Sequence, residues 1–172
     1  MSVVPGDPAS TSACAVTVAA AGRRLAAAAA PVTEAVDDLA EGWGGRGSVR
    51  LRRSATSAAD VAADTAAELE RMSRTLQDHA TELAGLLARV RALEDRARAA
   101  GLEVREGRVV PPLGIAGEAD AAATLARDEE ARALRSDLDA VRARHRRRRA
   151  DLLAALRGST TGLAAASDTL RR

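Results

Sequence analysis

From Leu51 to Ala97, apolar or small residues recur in strict 4-3 alternation: Leu51, Ala55, Ala58, Ala62, Thr65, Leu69, Met72, Leu76, His79, Leu83, Leu86, Val90, Leu93 and Ala97. Such a repeat keeps one stripe on one side of a slightly underwound α-helix and conflicts with the period of two that a strand needs. The spacing predicts one long, coiled-coil-like helix. Small residues fill the first half of the seam and leucines the second, so packing against a neighbour should taper along it. Gly101 supplies a C-cap beyond Arg96 and Arg98.

A second stripe precedes the first. Counting back from Trp43, it passes through Leu39, Val36, Val32, Ala29, Leu25, Gly22 and Val18 in steps of three and four. Pro31 falls inside it and lacks an amide donor, which predicts a kink or two helices in series. Between the stripes, Glu41-Gly42-Trp43-Gly44-Gly45-Arg46-Gly47 cannot sustain a helix and reads as the turn. Residues 1–8, with Pro5, Gly6 and Pro8, read as a disordered leader, and Ser10, Thr11 and Ser12 as N-caps for the helix that follows.

After Gly101 the period changes. Val104-Arg105-Glu106-Gly107-Arg108-Val109 alternates apolar and charged residues around a Glu-Gly pair, the pattern of a small β-hairpin, and Pro111-Pro112 stops it. From Glu118 a helical stripe returns through Leu125, Leu134, Leu138, Val141, His145, Leu152 and Leu156 to Gly158. Ser159 then stands as the cap of a short final helix carrying Leu163, Ala166 and Leu170. The expected fold is all-α: a long antiparallel helical hairpin extended into a three- to four-helix bundle, with a short β-hairpin-like connection. Its expected divisions are a leader at 1–8, the helical hairpin at 9–101, a connector at 102–117 and a long plus a short helix at 118–172. A final helix that short would leave an apolar groove open to a partner or a second copy.

Composition limits what this fold can do. Hydrophobic residues make up 47% of the 172, but Ala supplies most of them, so the core between the helices must be thin. Net charge is +2 with both signs mixed, which excludes a chain-wide polycation. The one cysteine, Cys14, rules out an intrachain disulfide, a paired-cysteine redox motif and a thiolate zinc site. Arg23 and Arg24 follow the apolar stretch Ala13–Ala21 and no basic residue precedes it, the reverse of a secretory signal. No uncharged run reaches the length of a membrane span, so no transmembrane helix is expected.

A helix of about thirty residues, a WxG turn and a longer amphipathic helix resemble the WXG family of small type VII (ESX) secretion proteins, with Trp43-Gly44-Gly45 at the turn. The similarity covers residues 10–101, and the later elements resemble the extended actinobacterial forms. An all-Arg basic complement without Lys, Asn, Phe or Tyr fits a high-GC source of that kind. The resemblance implies a targeting or substrate module that pairs with another helical hairpin, with Trp43 at the end of the shared bundle. The family's export signal, a Tyr followed four positions later by an acidic residue, has no counterpart in a chain without Tyr. Export would therefore need a signal supplied by the partner, and the expected location is cytoplasmic before any such step.

Trp43, Gly45, Leu69, Met72, Leu76 and Leu83 are the expected partner-binding residues. The run Arg142, Arg144, Arg146, Arg147, Arg148 and Arg149 is the strongest charge anomaly and the basis of an alternative reading, an Arg-rich helical protein for nucleic acid or another polyanion. Those arginines distribute around the helix and no aromatic residue is at hand to stack on bases, so a solvated face is favoured. A plain coiled-coil homodimer is a third reading. His79 and His145 occupy seam positions on different helices, and simple antiparallel pairing puts them at different heights, with no metal site expected. No Gly-rich phosphate loop, nucleophile elbow or carboxylate pair in a pocket-forming context is present, so neither an enzyme nor a cofactor is expected.

Overall fold

The computed structural model describes residues 3–42, 45–111 and 121–171. Among them are three helices, α1 (Pro8–Gly42), α2 (Arg46–Ala99) and α3 (Ala121–Leu170), and one small sheet of β1 (Glu103–Arg105) and β2 (Arg108–Val110). The class is all-α, as the periodicity requires. Helix α1 starts earlier than the Ser-Thr-Ser cluster predicts: Pro8 takes the first helical position behind Asp7, and Ser10, Thr11 and Ser12 lie inside the helix. It continues through Pro31 to Gly42 without a second start.

Gly45 caps the start of α2: its φ of 118° suits only glycine, and its carbonyl accepts the Val49 amide at 3.2 Å. Its other end closes as a Schellman motif. Gly101, at φ 67°, donates to the Arg98 carbonyl at 3.0 Å, and Leu102 donates to the Ala97 carbonyl at 2.8 Å. Leu102 and Ala97 are both buried, the apolar contact that accompanies this cap.

The β-hairpin forms where the alternation puts it. Register pairs Val104 with Val109 and Arg105 with Arg108, so the loop has two residues. Glu106 and Gly107 both take positive φ, 49° and 75°, the primed turn that matches strand twist.

Helix α3 corrects the C-terminal expectation. It runs unbroken for 50 residues, with Gly158 and Ser159 in its interior. Glycine inside a helix costs about 1 kcal/mol relative to alanine, too little to end one that packs on both sides of it. Ser159 caps nothing and hydrogen-bonds the Glu68 carboxylate instead.

The chain divides into two compact units whose limits cut across α2 and α3. Unit 1 comprises Met1–Pro8 and His79–Ala150, and unit 2 comprises Ala9–Asp78 and Asp151–Arg172.

In unit 1 the core is continuous. It joins Leu83, Leu86, Val90, Leu93 and Ala97 of α2 to Ala131, Leu134, Leu138 and Val141 of α3, with Leu102 and Val109 from the connection. Val4 belongs to the same core at 1% exposure, and Gly6 lies against the Leu83 side chain. The N-terminal segment is therefore a packed strap, correcting the disordered leader; two valines ahead of Pro5 bury enough apolar area to hold it.

Unit 2 is thinner, as an alanine-rich seam dictates. α1 lies against α2 with opposed chain direction: Ser12 Oγ donates to Gln77 Oε1 at 2.9 Å, Ser73 Oγ donates to the Ala15 carbonyl at 2.8 Å, and Gly22 packs on Ala66 and Leu69. Much of α1 remains uncovered. An 18-residue window within Pro8–Asp38 is apolar and long enough to cross a membrane by length and composition, and only 11% of it is buried. The window qualifies although no uncharged run is that long, because Arg23 and Arg24 interrupt the run without offsetting the alanines and valines around them.

Candidate interaction surface

Burial along the α2 seam rises in the order the residue sizes predict. Leu51 is 48% exposed, Ala55 through Met72 are half-buried, and Leu76, Leu83, Leu86, Val90 and Leu93 are buried. This separates the residues expected to meet a partner. Leu83 is enclosed by the chain's own strap and Leu76 is also buried, so these two hold the fold together; Leu69 and Met72 keep part of their surface. Along the leucines no groove is open: Leu83, Leu86, Val90 and Leu93 share one core with Ala131, Leu134, Leu138 and Val141 of α3 and with Val4.

An apolar groove does open elsewhere in unit 2. It is lined by Pro31, Val32, Ala35 and Val36 of α1 and by Leu51, Arg52 and Ala55 of α2 and encloses about 310 Å³. Val32 and Leu51 are 41% and 48% exposed there, and Val49 on the same turn of α2 is 46% exposed. Alanine and valine opposite one another leave this space because neither side chain reaches across the interhelical gap. Gly45, exposed and with nothing within 4 Å of where a Cβ would stand, precedes the helix that forms one wall. Trp43, the strongest single expectation from sequence, lies outside the described residues.

The arginine run splits by role. Arg142 donates from Nη2 to the Gly107 carbonyl at 2.6 Å and from Nη1 to Asp139 at 3.1 Å, tying α3 to the β-turn. Arg144 Nε lies 2.5 Å and Arg148 Nε 3.8 Å from Glu82 Oε1. The Arg144 hydrogen bond holds the Glu82 carboxyl below its ordinary range. Arg146, Arg147 and Arg149 remain exposed. The run therefore fixes α3 on α2 and on the hairpin with half its members and offers solvent the other half.

The Glu82–Arg144 contact sets the register of α2 on α3, and it overturns one expectation. His79, one turn before Glu82, falls at the level of His145 and Arg148, and the two histidines are close enough for their charges to interact. Burial is the largest influence lowering the His79 pKa, with His145 and Arg148 adding to it and Glu82 opposing. His145 itself is 8% exposed. Among the described residues no three His, Cys, Asp or Glu side chains converge as metal ligands, and Cys14 is exposed.

Sequence reading missed the strap residue Val4, the buried Ala131 and the Arg142–Gly107 bond. The Val3-Val4 pair was the one available signal for the strap, masked by the prolines around it. Comparison with family models, curated proteins and solved structures finds no match for this chain.

Proposed function

We propose that this chain is a non-enzymatic interaction module: a WXG-like helical hairpin, extended by its C-terminal helix into a bundle, that pairs with another helical protein as a type VII secretion substrate, adaptor or chaperone. The observation that carries this reading is the uncovered apolar surface of unit 2. A groove bounded by Val32 and Leu51, beside a helix of which 11% is buried over its most apolar stretch, leaves in water the kind of surface that soluble chains cover with a partner. A helix laid into such a groove is a standard recognition mode. Arg23 and Arg24 in the middle of α1 favour a protein cover over a bilayer, since each guanidinium costs about 2.5 to 3.5 kcal/mol at the centre of a spanning helix. The module acts in the cytoplasm, and any export depends on a signal in the partner.

The test uses the lone Trp as its own reporter, since no Tyr contributes to emission. Co-expression with a WxG protein encoded beside this chain should give a stable complex that survives high salt and shifts Trp43 emission to the blue. Trp43→Ala should weaken the complex by about 3 kcal/mol. Capture and melting that do not change in Trp43→Ala defeat the reading. A complex that forms only with nucleic acid or heparin and collapses as salt rises supports the polyanion alternative through Arg146, Arg147 and Arg149.

A further inference from the structure

Gly85 sits in the interior of the 54-residue α2, where alanine would be more favourable by about 1 kcal/mol. A Cβ at Gly85 would meet nothing within 4 Å, as at Gly158 and Gly162 inside α3, but Gly85 alone of these three lines a groove between two helices. Above it a groove of about 530 Å³ opens between α2 and α3 of unit 1, floored by Gly85, Leu86, Ala140 and Val141. Leu86 and Val141 are already buried, whereas Gly85 and Ala140 are exposed, so the floor is shallow, small and open to close approach by another backbone.

Four charges mark the corners of this groove. Glu82 and Arg89 stand two turns apart on α2, and Asp137 and Arg144 stand two turns apart on α3. Because the helices are antiparallel here, Glu82 faces Arg144 at 2.5 Å, with Arg148 beyond it at 3.8 Å, and Asp137 faces Arg89 at 3.9 Å while accepting from Arg96, beyond the groove, at 3.0 Å. Acid and base therefore alternate around the rectangle, along each helix and across the groove. A half-turn about an axis in the plane of the groove, either along the helices or across them, exchanges each acid of these four with a base. Two identical faces laid together on such an axis meet with opposite charges at all four corners, which is the self-complementarity an isologous contact requires. A guanidinium has donors enough to serve a carboxylate in its own chain and one in the facing chain.

We propose that this α2/α3 face of unit 1 is a contact between two copies of the chain, centred on Gly85 and Ala140. The contact is separate from the unit 2 groove and does not rest on the secretion reading. The small floor lets the helices of the two copies approach closely, and the charge pattern excludes faces with a single-sign rim.

The experiment is sedimentation of the full chain over a concentration series. Wild type forms a dimer. Gly85→Leu fills the groove from a position with no contact in its own chain, so it weakens the dimer by at least about tenfold while melting of the dilute monomer holds or rises. Arg89→Glu leaves Asp137 its bond from Arg96 at 3.0 Å, so the fold keeps that pair, but it sets an acid against an acid of the facing copy on either axis and weakens the dimer by at least about tenfold. A strictly monomeric wild type, or a dimer of unchanged strength in Gly85→Leu or in Arg89→Glu, overturns the proposal.

Discussion

Gly22 of α1 packs directly on Leu69 of α2: a Cβ at Gly22 would lie 3.2 Å from the Leu69 Cβ and 3.2 Å from the Ala66 carbonyl oxygen. This is the closest approach that α1 makes to α2 among the glycines described, and it depends on the absence of a side chain. Gly22→Leu should lower stability by about 1 to 3 kcal/mol despite the better helix propensity of leucine, because the backbone oxygen cannot move aside. Thermal melting followed by the helical circular dichroism signal checks it.

The buried strap makes the first residues part of the fold. Val4→Asp should cost at least about 2 kcal/mol, since it removes a fully buried valine and leaves a carboxylate in the Leu83 region. Amide protection along Leu83 to Leu93 should fall with it. A merely appended leader would leave both stability and protection at the wild-type level.

Glu106 holds a positive φ of 49° in the two-residue turn, a conformation that costs an ordinary residue about 1 to 2 kcal/mol and Asn much less. Glu106→Asn should therefore stabilise unit 1 by up to about 1 kcal/mol. Its β1 and β2 amides should exchange more slowly than in wild type.

Acid should weaken the joint at His79. Its folded pKa lies below the ordinary histidine value, mainly through burial, so the unfolded chain binds the proton first. The associated stability is complete above about pH 6.5, declines as pH falls toward the folded pKa, and changes no further below it. His79→Gln should flatten the melting temperature across that window. Glu82 and Glu130, both held below their ordinary range by arginine hydrogen bonds, add a separate loss at lower pH that salt screens.

The sequence by itself determined the local structure wherever one period ran uninterrupted. The 4-3 seam gave α2 its length and its buried side, Gly101 its terminus, and the alternation around Glu106-Gly107 its hairpin, because each rests on interactions within a few residues. Residue size along the seam also foretold a thin alanine-lined part and a thick leucine-lined part. Tertiary structure decided the rest. Ser159 and Gly158 carry the local signs of a helix end, yet packing along the stripe outweighs a cost of about 1 kcal/mol at a glycine and keeps α3 continuous, while α1 runs through Pro31 although the residues around it are exposed. Val4 joins a core whose other members come from α2, α3 and the connection, far along the chain. His79 met His145 only because Glu82 and Arg144 fixed the register, a choice made by side chains 62 residues apart. The open space over Gly85 was equally invisible, since a glycine in a helical repeat looks the same whether a neighbour presses on it or none does.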